Sequence, residues 1–339
     1  MCGPTRFGVL MNKLVILAAI CASIILSPAF AAQPTALVIH GGAGTISRAK
    51  LTPERELAIR AALDRALDAG HAVLDAGGPA LDAVAAAVVV LEDSPYFNAG
   101  KGAVFNADGV NELDSAIMDG STRRAGAIAG VHRVRNPVQL ARAVMEQSPH
   151  VMLIGDGAEA FATSIGMPLV DQPYFRTEER WQQLQDAKAR TSARVALPRS
   201  YYFGTVGAVA LDADGHIAVA TSTGGMTNKR WGRVGDAPII GAGTWADAGC
   251  GVSATGWGEF FIRLNVAADI CARVAYRGDT LAEAADAVVM KRVPELGGDG
   301  GVIAMDAQGN IAMPFNTSGM YRAWIRPDGS RGTAVYANP

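Results

Sequence analysis

Thr205 follows a glycine at the head of an apolar run, Gly204-Thr205-Val206-Gly207. A threonine hydroxyl is a weak nucleophile unless a base stands beside it, and one solution uses the residue's own α-amino group. A free α-amine titrates near ~7.7 to 8.0, so it is deprotonated close to neutrality without the burial that lysine, at ~10.4, would need. That chemistry requires Thr205 to be residue one of its chain, hence cleavage of the Gly204–Thr205 bond. Glycine before the threonine leaves room for the strained backbone through which the hydroxyl would attack the preceding carbonyl. Taken alone, Gly-Thr at the start of a strand carries no such meaning, and neighbouring motifs must supply it.

Gly232-Arg233-Val234-Gly235-Asp236 sets a cation and an anion three residues apart on a glycine-rich loop. Arg233 can hold a carboxylate by two parallel hydrogen bonds and Asp236 an ammonium, which together would grip a free amino-acid end. The alternative is that they pair with each other or face solvent, as most surface neighbours do. Thr221-Ser222-Thr223-Gly224-Gly225 and Ser253-Ala254-Thr255-Gly256 add hydroxyls and backbone amides at strand ends, suited either to an oxyanion hole or to ordinary turns. Pro238 to Ala246 has the strand and glycine turn of a dinucleotide site, but Gly249 and Gly251 interrupt the place where its helix should follow. No phosphate-cradling loop, Gly-x-Ser-x-Gly elbow or His-Glu-x-x-His motif is present. The five histidines, at 40, 71, 132, 150 and 216, lack metal-ligand spacing, so no cofactor is expected for catalysis.

The elements that must position these residues are legible in part. Ala36 to Ile39 reads as a buried strand entering the loop His40-Gly41-Gly42-Ala43-Gly44. Thr52-Pro53-Glu54 opens a helix carrying Ile59, Leu63, Leu67 and Leu74, and Pro79 to Leu91 is a second, apolar nearly all round. Gly258 to Tyr276 reads as a third, and Thr280 with Glu283 makes a capping box for a last one. Ala208 to Ala218 and Val302 to Ala312 echo each other: an apolar strand, an Asp/Gly turn and a returning strand, hence two β-hairpins. Apolar residues on both strand faces imply sheets buried between helix layers. Arg176 to Arg199 is polar and basic with little apolar periodicity past Leu184, which reads as an exposed, mobile linker, near 176–204.

Half of the 339 residues are apolar and 18% charged, enough for a large core. Lys and Arg total 30 against 32 Asp and Glu, with no basic stripe, so a small-molecule or peptide substrate is expected rather than nucleic acid. Residues 1–31 read as a signal peptide: Lys13, an apolar run from Leu14 to Leu26, and Ala29-Phe30-Ala31 before the cut. Met11 stands where such a peptide would begin. The run is shorter than the roughly 18 to 20 residues of a membrane span, so a periplasmic or secreted protein, free of the membrane after processing, is expected. Removal of that segment discards Cys2 and Cys21; Cys250 and Cys271 could form a disulfide in an oxidising compartment, but Cys271 falls in the apolar pattern of a helix, which favours buried free thiols.

In order along the chain, His40-Gly-Gly-Ala-Gly44, Asn98-Ala-Gly100, Glu112-Leu-Asp114, Met118-Asp-Gly120 and Gly204-Thr-Val-Gly207 are followed by Thr221 to Asn228, Gly232 to Asp236, Thr255-Gly256, Gly258-Glu259 and Pro314 to Thr317. This series resembles the plant-type asparaginase and isoaspartyl peptidase family of N-terminal-nucleophile hydrolases over nearly all of the chain after the signal. The resemblance implies an α+β, four-layer αββα sandwich, made as a precursor that cleaves itself into an α-chain, 32–204, and a β-chain, 205–339. The two chains stay together, and two such units form a homodimer. By the same resemblance Thr205 is nucleophile and amine base, Thr223 bonds the nucleophile, Thr255 and the Gly256 amide make the oxyanion hole with help from Asn98, and Arg233 and Asp236 hold the aspartyl end of β-aspartyl peptides or asparagine. A structural sodium ion on backbone carbonyls of Leu91, Glu92, Ser94, Phe97, Ala99 and Lys101 is implied too. Trp257 and Ser318 depart from the family pattern, which bears on substrate preference. Glycosylasparaginase-like hydrolysis is the nearest alternative, although those relatives carry a Trp-containing segment where this chain has His40 to Gly44. A non-catalytic aspartyl-binding protein is the alternative if the chain stays uncut.

Overall fold

In the computed structural model, which describes residues 34–193 and 204–337 except 45, 47 and 50, together with Met1 and Gly3, the apolar run after the amino-terminal segment forms strand β1, Ala36–Gly44. The signal peptide, with Cys2 and Cys21, and the end of the linker, 194–203, lie outside the described residues. Strand β1 runs further than the expected Ala36 to Ile39, because the glycine segment keeps pairing with a later strand after a bulge between His40 and Gly42. Glycine makes this possible: a Cβ on Gly41 would lie 2.5 Å from the Phe97 ring, and Gly42 has φ +109°.

Thr52 accepts a hydrogen bond from the Arg55 amide and starts helix α1, Pro53–Asp75, with Glu54 and Glu56 in its first turn. Helix α2, Ala80–Glu92, follows, its first amide held by Asp212 Oδ2 at 2.9 Å. Strands β2, Leu113–Asp119, and β3, Ala125–Val131, are followed by helix α3, Pro137–Gln147. The short β4, Met152–Ile154, leads into α4, Gly155–Ser164. The segment read as a linker folds, in its described part, as helix α5, Glu178–Ser192, capped by Thr177. Its apolar stripe is narrow, Leu184 and Ala187 buried and Trp181 edge-on to Phe105 at 5.4 Å, which is why composition concealed it.

The first hairpin pairs β5, Val206–Leu211, with β6, Ile217–Thr223, and the turn is held by Asp212 accepting from the Asp214 and His216 amides. Strands β7, Thr244–Ala246, and β8, Cys250–Gly256, precede helices α6, Gly258–Leu264, and α7, Val266–Ala272. One continuous helix was expected over Gly258 to Tyr276. Asn265 instead takes a left-handed conformation, φ 51°, so that the Ala267 and Ala268 amides at the start of α7 bond the carbonyls of Ala242 and Gly241. The expected Thr280/Glu283 capping box opens α8, Leu281–Asp286. The second hairpin joins β9, Gly300–Asp306, to β10, Ile311–Ala312, before β11, Gly319–Ile325, and β12, Arg331–Tyr336.

The strands form an eight-stranded sheet, β12-β11-β1-β5-β6-β2-β3-β4, and a four-stranded one, β10-β9-β8-β7, so the two similar hairpins belong to different sheets. Leu37, Ile39 and Ile117 of the large sheet pack with Leu63, Leu67, Val88 and Leu140 of α1 to α3. On the other side Val38, Val209 and Val219 meet Ile303 and Met305 of the small sheet, and Val252 and Val302 of that sheet pack with Ile270 of α7 and Ala284 of α8. Cys250 of β8 and Cys271 of α7 form a disulfide, with Cα atoms 5.5 Å apart, which corrects the reading of two free thiols. The packing of α7 on β8 aims both sulfurs into one interface, and no sequence pattern reveals that pairing.

Candidate active site

The β5/β6 register, Val206 opposite Ser222, brings Thr205 beside Thr223 at the end of the neighbouring strand. Thr205 Oγ1 is buried and donates to Thr223 Oγ1 at 3.1 Å, and the Thr223 oxygen also accepts from the Gly225 amide at 3.0 Å. Gly204 has φ +134°, and a Cβ there would stand 2.7 Å from that of Asn98. The Gly204 carbonyl accepts from the Asn98 amide at 3.3 Å. The Asn98 side chain is committed elsewhere, its Nδ2 donating to Gly225 O at 2.7 Å and its Oδ1 accepting from the Val104 amide. In the uncut chain, then, it is the backbone of Asn98 that faces the Gly204 carbonyl, whereas the side chain braces the loop after β6.

Gly42 of β1 backs Gly204: a Cβ on Gly42 would be 2.7 Å from Gly204 Cα and 2.9 Å from its carbonyl carbon. The next residue, Ala43, donates its amide to Thr255 Oγ1 at 3.2 Å, so the same strand end touches both the Gly204–Thr205 segment and the end of β8. Thr255 is fully buried, and Gly256 lies against the Phe261 ring and Asp299 O too closely for any side chain. Beneath them runs a chain of buried hydroxyls. His40 Nε2 meets Ser253 Oγ at 2.9 Å, Ser253 meets Thr221 at 2.8 Å, and Thr244 donates to Thr221 at 2.7 Å. Burial pushes the His40 imidazole down to about 3, against a smaller opposite pull from the Thr205 backbone, so His40 is neutral there.

Arg233 and Asp236 converge on Gly258, where a Cβ would be 2.9 Å from both Arg233 Nη2 and Asp236 Oδ1. They do not pair with each other. Arg233 binds Glu259 through Nε and Nη2, at 3.0 and 2.9 Å. Asp236 is buried, and its Oδ2 has no hydrogen-bond partner among the described residues. Desolvation therefore pushes its carboxyl up to about 7, against the pull of its own backbone and of Arg233. An unmatched buried carboxylate oxygen beside a guanidinium suits a ligand that brings its own ammonium and carboxylate.

Behind this pair lies a charged group that the sequence offered only as an unassigned motif. Lys229 Nζ, almost fully buried, stands 3.5 Å from Glu112 and 3.8 Å from Asp114 and donates to Glu112 O at 3.1 Å. Glu112 is held at about 2, foremost by its hydrogen bond with His132. Burial raises the Asp114 carboxyl. Nothing in the polar run around Lys229 signals that its side chain turns inward.

Between α2 and Gly102 the chain curls so that the carbonyls of Glu92 and Phe97 face Gly100 and Gly102, where Cβ atoms would sit 2.4 and 2.1 Å away. The Leu91 carbonyl accepts the Asp93 and Ser94 amides, and the Ala99 carbonyl accepts the Gly102 amide. Backbone carbonyl oxygens are donors of the kind a hard cation takes. The Asp212, Asp214 and His216 side chains also approach one another, within 4.8 Å, in the turn of the first hairpin, where Asp212 is occupied with amides. Trp257, one of the two departures, stacks edge-on with Phe260 at 5.0 Å, and Ser318, the other, is exposed.

Compared with known proteins, residues 33–335 match the asparaginase family profile. The chain is 52% identical over 306 residues to the isoaspartyl peptidase of Escherichia coli, which covers 88% of this chain and 95% of that one. It is 51% identical over 308 residues to the isoaspartyl peptidase of Salmonella typhimurium, with 88% and 98% covered. Against the human isoaspartyl peptidase/L-asparaginase it is 41% identical over 289 residues, with 85% and 92% covered. The chain belongs to the asparaginase family. Membership places it among the N-terminal-nucleophile hydrolases, a class in which the Thr205 hydroxyl and the bond before it are the features to explain.

Proposed function

We propose that this chain cuts itself between Gly204 and Thr205 and then hydrolyses β-aspartyl peptides and asparagine, releasing aspartate. The observation that carries the reading is the meeting of Thr205 Oγ1, Thr223 Oγ1 and the Gly204 carbonyl held by the Asn98 amide. In self-cleavage Thr205 Oγ bonds to the Gly204 carbonyl carbon, the bond from that carbon to the Thr205 nitrogen breaks, and the hydroxyl proton passes to the departing nitrogen. Water then cleaves the ester, leaving a Gly204 carboxylate and a free Thr205 amine.

In substrate turnover that amine takes the Thr205 hydroxyl proton as Oγ attacks the β-carbonyl carbon. Thr255 and the Gly256 amide stabilise the oxyanion, Arg233 holds the substrate's α-carboxylate and Asp236 its α-ammonium. The Thr205 ammonium returns the proton to the leaving nitrogen, and an aspartyl ester remains for water to cleave. Among the described residues Arg233 Nη1 has no hydrogen bond while Glu259 holds Nε and Nη2, which supports a part in binding without loss of its position.

The proposed layer order is α, β, β, α, supported by the three separate clusters of apolar residues. Association of the two chains after cleavage is supported by the large sheet, where β1 of the α-chain lies between β11 and β5 of the β-chain. The Leu91 to Lys101 segment is proposed to hold sodium through the backbone of Leu91, Glu92, Ser94, Phe97, Ala99 and Lys101, which would stiffen it beside Asn98 and takes no part in the reaction. Export to the periplasm or medium is supported by the amino-terminal signal pattern and by the Cys250–Cys271 bond, which belongs in an oxidising compartment. Among the described residues no helix is long and apolar enough to cross a membrane. A homodimer of two-chain units is the proposed assembly, by family resemblance alone.

The deciding experiment is intact mass and amino-terminal sequencing of the purified protein beside Thr205→Ala. Two wild-type chains, one starting at Thr205, with the variant whole, and aspartate release from both substrates, are expected. A folded wild-type chain that stays uncut removes the base this reading depends on.

A further inference from the structure

A cavity of about 550 Å³ has Gly204 and Asn98 in its wall, together with the end of β1 and residues of the helices α1 and α5, while Arg233 and Asp236 are not part of its lining. Its charged lining is Arg55, Glu179 and Arg180, and Leu51, Ile59 and Tyr321 supply apolar wall. Arg55 is matched by Glu179 at 2.5 Å. Arg180 donates Nε to Gly102 O and Nη1 to Gln183, and among the described residues no carboxylate lies within salt-bridge distance of it. The lining thus carries one positive charge in excess, on a half-buried guanidinium whose remaining nitrogen, Nη2, has no bond among the described residues. A partly desolvated cation of this kind binds a carboxylate more strongly than a surface one does.

The chemistry at Thr205 says what should enter. The leaving nitrogen of a substrate must take its proton from the Thr205 α-ammonium, so it must lie against the Thr205 nitrogen. In the uncut chain the group bonded to that nitrogen is Gly204, and Gly204 lines this cavity. Once the bond is cut and Gly204 moves aside, the leaving group of a substrate held by Arg233 and Asp236 points into the same space. Resting on the function proposed above, we infer that this cavity is the leaving-group subsite and that Arg180 binds the α-carboxylate of the amino acid released from an isoaspartyl dipeptide, whose side chain lies along Leu51, Ile59 and Tyr321. Asparagine, whose leaving group is ammonia, uses none of it. The subsite therefore separates dipeptides from asparagine and free carboxyl ends from blocked ones.

The test compares kcat/KM of the self-cleaved wild type and Arg180→Gln on three substrates: β-aspartyl-leucine, its carboxamide and asparagine. For the wild type the free acid should exceed the carboxamide by about tenfold to a hundredfold, the range of a charge-assisted hydrogen bond. In Arg180→Gln that preference should collapse towards unity, and the dipeptide-to-asparagine ratio should fall by a similar factor. A merely structural role for Arg180 lowers all three substrates together and leaves both ratios alone, which would overturn the inference. If Arg180→Gln fails to fold or to cleave, the wild-type comparison decides, because a carboxamide hydrolysed as well as the acid leaves the carboxylate unrecognised. A cleaved wild type that releases aspartate from none of the substrates refutes the proposed function instead.

Discussion

Replacing Gly42 by alanine should stall self-cleavage while leaving the protein folded. A Cβ at this position would approach Gly204 Cα to 2.7 Å and its carbonyl carbon to 2.9 Å, distances that contacting carbons do not tolerate, and both partners are backbone. The residue's φ of +109° adds backbone strain of about 1–3 kcal/mol. Relief requires Gly204 to move by several tenths of an ångström away from β1, which changes its placement against Thr205 Oγ and the Asn98 amide. Attack on a carbonyl is steeply sensitive to such displacement: an error of about 1 Å in placing reacting atoms costs on the order of a hundredfold in rate. A slowing of about tenfold to a hundredfold is therefore expected, read as the half-time for conversion of full-length chain to two chains. Gly278→Ala is the control, since Gly278 also has positive φ, +72°, but a Cβ there meets nothing within 4 Å. It should lose only the stability that its left-handed backbone costs a side chain, about 1 kcal/mol, and cleave at the wild-type rate. Equal half-times for Gly42→Ala and wild type would refute the claim that Gly42 sets the position of the Gly204 carbonyl.

Two further outcomes follow from the same geometry. Cys250→Ser should lower stability by about 3 kcal/mol, the chain-entropy value for a cross-link spanning 21 residues, and reductant should lower the melting temperature of the wild type but not of the variant. Asp236 without ligand titrates near 7, so its carboxylate, the form that attracts an ammonium, is lost as pH falls through that value. KM for asparagine should accordingly rise from pH 8 to pH 6, and Asp236→Asn should have a high KM with little pH dependence. A wild-type KM that stays level across this range would show that Asp236 does not meet the substrate ammonium.

The three threonines were legible because each sits at or beside a strand terminus. Thr205 immediately precedes β5, Thr223 closes β6 and Thr255 is the last but one residue of β8, so the apolar run that marks each strand also brackets its threonine. The hairpin turns were legible for a local reason, since Asp212 and Asp306 each cap amides two and four residues ahead, within one sequence window. What escaped depends on partners far along the chain. The glycine segment 41–44 reads as a loop until β11, nearly 280 residues later, supplies the pairing, and Cys271 reads as core packing until α7 is laid on β8. Helix α5 escaped for another reason: it buries only Leu184 and Ala187, with Trp181 packed on Phe105, a stripe too thin to stand out from its polar composition, while Glu179 and Arg180 at its start line the same cavity as Gly204.

The same distinction explains the clamp. Arg233 and Asp236 are three residues apart on one loop and would neutralise each other if chain proximity governed them, yet they do not pair: Arg233 is turned to Glu259, and Asp236 is buried. Glu259, just beyond Gly258 on α6, takes two nitrogens of the guanidinium and fixes its plane. The backbone around Gly243 crowds the Asp236 carbonyl, and burial leaves its carboxylate short of one partner. Gly258 is what allows both side chains to point at one spot, because any side chain there would fill it. The pair is thus held apart by its surroundings, an arrangement that the sequence presents only as two opposite charges on a glycine-rich loop, and in the proposed function a ligand carrying both charges completes it.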